Sequence, residues 1–239
     1  MYFIKLFICS FASIALAQPL EEEHEIVKLG LEEQRFEADY YFEKTGEPEG
    51  GIILTYSGEY VKLVSNLGYI LSQHGWSVLI FRLAKNSKEI DTEPKSKDLS
   101  RVTRQLDAAF EFMEAKKNLY NLVLFSSGPS WLQVSRYLIE SQAKTKSLRG
   151  LILHNAERTI EISNLDNSIA ILDIATLRTP SLAYLGRQIH AKRFKMSNYQ
   201  QLNLHLPQRQ VLYGEDKLNR RIRGWLRTQV KGMKIEKKR

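Results

Sequence analysis

Short apolar segments that alternate with helix-like segments constrain the fold more than any other feature of this sequence. Residues 52–56, 76–83 and 119–125 are rich in apolar and β-branched side chains, and apolar residues recur at helical spacing between them, as at Val61, Val64, Leu67 and Leu71. Strands of parallel sheets have this near-continuous apolar character because helices cover both faces. The pattern therefore predicts an α/β protein with a mostly parallel sheet and helices on both faces.

The remaining elements follow from the same periodicities. Further strands are predicted at 36–42, 148–154, 168–175 and 202–206, and further helices at 99–113, 131–139, 180–192 and 215–231. The acidic stretch at 18–35 is expected to be helical or loose. With 239 residues and 43% hydrophobic composition, one domain can bury a sizeable core.

The N-terminus has the pattern of a secretion signal. An apolar segment at 6–16 follows Lys5, and Ala15-Leu16-Ala17 fits a cleavage site, so residues 1–17 are predicted to be a signal peptide rather than the alternative, a single membrane anchor. Cys9, the one cysteine, lies inside this segment, which excludes disulfides, thiol catalysis and cysteine–metal sites from the mature chain. We expect a periplasmic protein with an acidic arm at 18–35, a domain at 36–231 and a basic tail at 232–239.

Charge is distributed unevenly along the chain. Residues 18–49 contain 11 acidic and 3 basic side chains, whereas residues 178–239 contain 16 basic and 3 acidic ones. The last predicted helix carries an apolar stripe that should pack on the sheet, and its other side carries five cations: Arg220, Arg221, Arg223, Arg227 and Lys231. In an exported protein such a surface suits anionic lipid, lipopolysaccharide or an acidic envelope protein, while nucleic acid is not expected. The alternative is that these charges only keep the chain soluble.

A strand, a sharp turn and a helix meet around Gly128. This is the arrangement of the G-x-S-x-G nucleophile elbow, in which small flanking residues permit a strained turn. Here Ser126 and Ser130 take the flanking positions and Gly128 takes the nucleophile position, so the turn keeps its small residues but lacks the attacking side chain. The hydroxyls of Ser126 and Ser127 are expected to bond to backbone groups at the turn.

The order of these motifs resembles the α/β-hydrolase fold. The segments that carry the resemblance are 51–54, His74-Gly75-Trp76 and 122–128. More narrowly, the chain resembles an uncharacterised family of secreted α/β-hydrolase-like proteins of Gram-negative bacteria, domain of unknown function 3530, in Gly128, in residues 198–200 and in residues 220–226. The resemblance covers roughly residues 26–230 and implies a fold and a compartment, but no reaction.

The other positions of a Ser–acid–His triad are vacant. Residues 176–181, after a late strand, contain no carboxylate, and residues 207–213, after the last predicted strand, contain no histidine. Asp173 lies within a predicted strand and should face a covering helix, and His205 is expected inside the last strand. His154 ends a predicted strand. It could be a base that faces the same pocket, but a hydrogen-bonded histidine at a strand end is the favoured interpretation. No histidines have metal-ligand spacing, and no motif calls for a cofactor.

These observations leave three functional hypotheses open. The first is a non-catalytic protein that binds a small molecule or an envelope protein, either through its basic tail or through the cleft that holds the active site in a hydrolase of this fold. The lining of this cleft would comprise Tyr56, Ser57, Gly58, Ser127, Gly128 and Pro129. The second is an ester or amide hydrolase that uses Ser127 with His154 or His205. The third is an anionic-surface binder that uses the basic residues from Arg220 to Arg239.

Overall fold

Eight strands form one sheet in the order β1-β2-β4-β3-β5-β6-β7-β8. The structure, a computed structural model, describes residues 24–32, 35–56, 60–83, 96–141, 146–157, 165–176, 181–206 and 216–230, without the side chains of 96–99 and 216. The strands are β1 Glu25–Leu29, β2 Phe36–Tyr41, β3 Gly50–Tyr56, β4 Trp76–Arg82, β5 Leu122–Ser127, β6 Leu148–His154, β7 Ala170–Ala175 and β8 Tyr199–Asn203.

The sheet is mostly parallel, as the apolar strands predicted. Strand β2 pairs antiparallel with both β1 and β4, and all other neighbours pair in parallel. In the middle of the sheet, Ile52 of β3 stands between Val78 and Val123. Because β3 to β8 run in the same direction, their carboxyl ends meet at one edge, where ligands of such sheets usually bind.

Among the described residues, five α-helices cover the two faces of the sheet. They are α1 Val61–Ser72, α2 Ser96–Glu111, α3 Trp131–Glu140, α4 Leu182–Arg193 and α5 Asp216–Trp225, and a π-helical turn follows α2 at Phe112–Lys116 and α5 at Leu226–Val230. Side chains alternate across each strand, so Ile53 belongs to the core under α2 and α3, while Ile52 and Leu54 belong to the core under α1 and α5. Both cores exclude water almost completely.

Glycine ends α1 where the sequence pattern predicted. Gly75 has φ 86°, a left-handed conformation that side chains rarely adopt, and it lies between the helix and β4. Its carbonyl accepts a 2.7 Å hydrogen bond from the amide of Glu49, just before β3. The turn therefore ties the end of α1 and the start of β4 to the start of β3.

Two predicted elements differ from the structure. The prediction of a helical or loose segment at 18–35 is wrong for Glu25–Leu29, which form edge strand β1 and pair with β2. The strand is hard to recognise in the sequence because it is short and only Val27 and Leu29 are buried, while the exposed positions hold Glu25, Ile26 and Lys28. The last strand is Tyr199–Asn203 rather than 202–206. The predicted signal peptide and basic tail lie outside the described residues.

Candidate active-site edge and surrounding surfaces

The carboxyl ends of β5 and β6 bring Ser127 and His154 side by side. The two residues are partners in the parallel ladder. Phe125 and Ile152, two positions earlier in each strand, both belong to the core under α1 and α5. Because residues two apart point to the same face, Ser127 and His154 also face this side of the sheet. The structure thus makes neighbours of two residues that the sequence separates by 27 positions.

The turn after β5 has the backbone of a nucleophile elbow. Gly128 has φ 57° and opens a short 3-10 turn, Gly128–Ser130, that leads directly into α3. The Ser130 hydroxyl donates a 2.7 Å hydrogen bond to the Ser127 carbonyl and lies 2.9 Å from the Ser126 hydroxyl. Hydroxyls therefore hold the left-handed turn in place, although no nucleophilic side chain stands at its centre.

The Tyr60 ring covers the place that a nucleophilic side chain would occupy. A Cβ atom added to Gly128 would lie 3.1 Å from Tyr60 Cε2. The same ring meets His154 edge-on, with 5.8 Å between the ring centroids. The sequence analysis missed Tyr60, and its only sequence signal is an aromatic residue immediately before α1. The Tyr60 ring therefore lies against both Gly128 and His154.

His154 is buried and fully packed. Its ring stacks on Phe125 at 5.9 Å, and its Nε2 lies 3.2 Å from Thr176 Oγ1 and 3.3 Å from Asn155 Nδ2. The Asn155 amide also donates a 2.8 Å hydrogen bond to Thr176 Oγ1, so His154, Asn155 and Thr176 form one cluster of polar side chains. This confirms a hydrogen-bonded histidine at a strand end.

Burial makes His154 a weak base. Complete removal from water lowers its pKa to about 4 because the protein interior disfavours the imidazolium form. A general base works best when its pKa lies near the operating pH. At neutral pH, His154 would therefore withdraw a proton from a serine hydroxyl only at high cost.

Ser127 is also buried, and its hydroxyl has no hydrogen-bond partner among the described residues. The same is true of His154 Nδ1. The prediction that the hydroxyls of Ser126 and Ser127 bond to backbone groups is therefore wrong. The Ser126 hydroxyl bonds to the Ser130 hydroxyl instead, and the Ser127 hydroxyl bonds to no described group.

Asp173, in the strand that leads to the usual acid position, is committed to an ion pair. Its oxygens accept hydrogen bonds from Arg187 Nε at 2.7 Å and Nη2 at 3.0 Å, and both side chains are almost completely buried. The Tyr199 hydroxyl donates a third bond to Asp173 at 2.5 Å, and burial beside this carboxylate raises the tyrosine pKa. As expected, Asp173 faces a covering helix, α4, on the side of the sheet opposite His154.

His205 corrects one sequence-based expectation. It lies two residues beyond the end of β8, not inside the strand, and has φ 44° with an exposed side chain. Leu204 and Leu206 on either side are buried, which turns the intervening imidazole outward. This is the loop where the fold places its catalytic histidine, but among the described residues no hydrogen bond joins His205 to the elbow.

The predicted cleft lining is only partly described. Tyr56 is half-buried and Pro129 exposed, whereas Ser127 and Gly128 are buried. Ser57 and Gly58, two further residues of the predicted lining, lie outside the described residues. A cavity of about 640 Å³ lies elsewhere, between α2 and the β1–β2 hairpin. Within the described ranges, no group of three histidine, cysteine, aspartate or glutamate side chains could hold a metal ion.

The last helix is amphipathic, as predicted. Its apolar stripe, which includes Leu218 and Ile222, is buried on the sheet. Arg220, Arg221 and Arg227 are exposed, whereas Arg223 is half-buried and contacts His74. Lys231 lies outside the described residues. Of the helices that are described, none combines the length and apolar character of a membrane span.

Solved structures share this architecture at very low sequence identity. The esterase domain of a Rhodothermus marinus protein superposes with a TM-score of 0.62 at 12% identity, over 87% of this chain and 100% of that one. A dienelactone hydrolase from Anabaena variabilis gives 0.62 at 12% identity, covering 87% and 98%. A serine hydrolase without a lid from Xanthomonas campestris gives 0.57 at 11%, covering 87% and 94%. These likenesses establish an α/β-hydrolase fold.

Comparison with curated proteins yields no significant match. The model of the family described as "Protein of unknown function (DUF3530)" matches residues 82–228. This match spans β5, the elbow and all of α5, and it includes the three features that carry the resemblance to this family, Gly128, residues 198–200 and residues 220–226. The chain belongs to the DUF3530 family, a group of unknown function whose member here has an α/β-hydrolase fold.

Proposed function

We propose that this protein is an exported, non-catalytic member of the α/β-hydrolase fold that binds a ligand or a protein partner. The observation that carries the proposal is Gly128, which has the left-handed backbone of a nucleophile but no side chain. The Tyr60 ring occupies the space in front of it. The turn therefore keeps the backbone conformation of a nucleophile elbow but has no nucleophilic side chain, and an aromatic ring covers it.

The surrounding residues favour the same interpretation. His154 has a pKa of about 4, and Asp173 is held by Arg187 on the opposite face of the sheet. A serine hydrolase needs its acid to orient the histidine and its histidine to activate the serine. Neither link exists among the described side chains, so Ser127 would have to react without an oriented base.

One cavity supports the ligand-binding part of the proposal. The space of about 640 Å³ between α2 and the β1–β2 hairpin is lined by apolar side chains that include Phe36 and Phe112. Its charged lining has more cations than carboxylates: Lys28, Arg35, Arg101, Arg104 and Lys116 against Asp107 and Glu111. Its volume lies within the range of small-molecule sites. An amphipathic carboxylate such as oleate would place its chain on the phenylalanines and its charge at the arginines.

Ester turnover and ligand binding test the two parts separately. Hydrolysis of p-nitrophenyl acetate should be equally slow for the parent, Ser127→Ala and His154→Gln, because none of them would use the elbow. Loss of activity in Ser127→Ala would support the hydrolase alternative, and loss in His154→Gln as well would identify His154 as its base. Oleate should raise the melting temperature of the parent but not of Arg101→Ser/Arg104→Ser, while equal shifts in both would move ligand binding away from this cavity.

A further inference from the structure

Helix α4 exposes apolar side chains where a surface helix is normally polar. Leu182 is 87% exposed, Ile189 is 68% exposed, and Phe194, just after the helix, is 53% exposed. Together with Leu185, which is 42% exposed, Leu182 and Ile189 fall within about 60° of one another at 100° per residue. They form an apolar stripe along the helix. An exposed apolar stripe of this kind marks an interaction surface.

The stripe points directly away from the sheet, and polar contacts fix the helix in this orientation. Arg187, on the opposite side of α4, is 1% exposed and bound to Asp173. Gln201 of β8 donates a 2.9 Å hydrogen bond to the Tyr184 carbonyl, and Ser181 caps the first turn by accepting a bond from the Tyr184 amide. Rotating α4 to bury its leucines would break a buried ion pair. The apolar stripe is therefore a permanent feature of the surface.

The charge around the stripe has one sign. Residues 181–196 contain no aspartate or glutamate, and the C-terminal end of α4 carries Lys192, Arg193 and Lys195, all exposed. The Phe194 ring lies among them and packs against His190, with 4.5 Å between the ring centroids. Apolar residues next to cations, with an aromatic residue at the boundary, are typical of helices that lie in the interface of an anionic bilayer.

We infer that α4 docks on an anionic phospholipid surface, with its apolar stripe in the acyl boundary and its basic end at the headgroups. This surface is separate from the cleft and from the basic face of α5. A second copy of the chain fits less well, because residues 181–196 offer no acidic side chain that could pair with the cations of the other copy. An acidic protein would match the charges, but single side chains projecting from one convex helix suit a fluid interface better than a fixed counter-surface.

Vesicle co-sedimentation tests this inference with the protein from residue 18 onward, which contains every described element and omits the apolar segment at 6–16. Vesicles of phosphatidylcholine mixed with phosphatidylglycerol should bind the protein, and pure phosphatidylcholine vesicles should bind it far more weakly. Leu182→Ser/Ile189→Ser should weaken binding to the anionic vesicles by about tenfold or more. Lys192→Glu/Lys195→Glu should weaken it by roughly fivefold or more for each residue changed.

Two controls separate α4 from the rest of the surface. Leu31→Ser removes an apolar side chain that is 85% exposed beside β1, at the far end of the sheet, and should leave binding unchanged. Arg220→Ser/Arg227→Ser removes two exposed cations from α5 and should reduce binding much less than the α4 variants. Circular dichroism melting verifies that each variant is folded.

Three results would overturn the inference. One is the absence of binding to anionic vesicles, and another is equal binding by the parent and both α4 variants. The third is a concentration-dependent dimer in sedimentation velocity that Ile189→Ser dissociates while vesicle binding is absent, because it would assign the stripe to self-association.

Discussion

The burial of His154 predicts how the stability of the fold depends on pH. In the native protein its pKa is about 4, against an ordinary value of 6.5. Between these two values the unfolded chain binds a proton that the native imidazole does not bind. The native state therefore loses stability as the pH falls from 6.5 towards 4. Linkage gives a loss of about 2 kcal/mol at pH 5 and about 3 kcal/mol at pH 4, relative to neutral pH.

His154→Gln removes this titration and keeps an acceptor near Thr176. Urea unfolding at pH 7 and pH 5, followed by tryptophan fluorescence, gives the free energy of unfolding of parent and variant at each pH. Carboxylates contribute equally to both proteins, so their effect cancels in the comparison. The parent should lose about 2 kcal/mol more than His154→Gln between pH 7 and pH 5.

His205→Gln provides a matched control. It removes an exposed imidazole from the loop after β8 and should retain the pH dependence of the parent. If His154→Gln lost as much stability as the parent on acidification, the native imidazole would be protonated as readily as the unfolded one. That result would refute the burial of His154 and with it the argument that this residue is a poor base.

Three further substitutions test separate parts of the structure by thermal or urea denaturation. Asp173→Asn should destabilise the fold by about 3 to 5 kcal/mol, because it leaves the Arg187 charge buried without its counter-ion; a change below 1 kcal/mol would mean that water reaches the pair. Gly128→Ala should cost about 1 to 2 kcal/mol, since alanine resists a left-handed backbone and its Cβ would press on Tyr60. Gly224→Ala is expected to stabilise α5 by about 1 kcal/mol, because no atom lies within 4 Å of the added Cβ and alanine favours helix; destabilisation there would contradict the open surface at this position.

The sequence predicted the architecture well because periodicity reports burial directly. Strands β3, β4, β5 and β6 could be predicted from their own apolar residues, without information about which strands pair with them. Strand β1 was not predicted because it is an edge strand of five residues in which Glu25 and Lys28 interrupt the apolar side chains and only Val27 and Leu29 are buried. The predicted position of β8 lies too far towards the C-terminus because Leu204 and Leu206, which follow the strand, are apolar and buried like core strand residues.

The site was harder to predict because it depends on contacts between distant segments. Gly128 identified the elbow, but nothing near it in sequence indicated that Tyr60, 68 positions earlier, would cover it. Helix α4 is a sharper example. Its spacing favours burial of Leu182 and Ile189, yet the helix buries Arg187, because Asp173 on β7 requires a cation. A tertiary ion pair thus reverses the face that amphipathicity alone would select, and the apolar stripe on α4 results.

The central claim is that the elbow no longer performs serine chemistry. Intact-mass analysis after incubation with a fluorophosphonate tests it most directly, since this reagent adds to an activated serine hydroxyl. We expect no mass shift for the parent or for Ser127→Ala, with both proteins folded by circular dichroism. Stoichiometric addition to the parent that disappears in Ser127→Ala would contradict the claim and identify Ser127 as a working nucleophile.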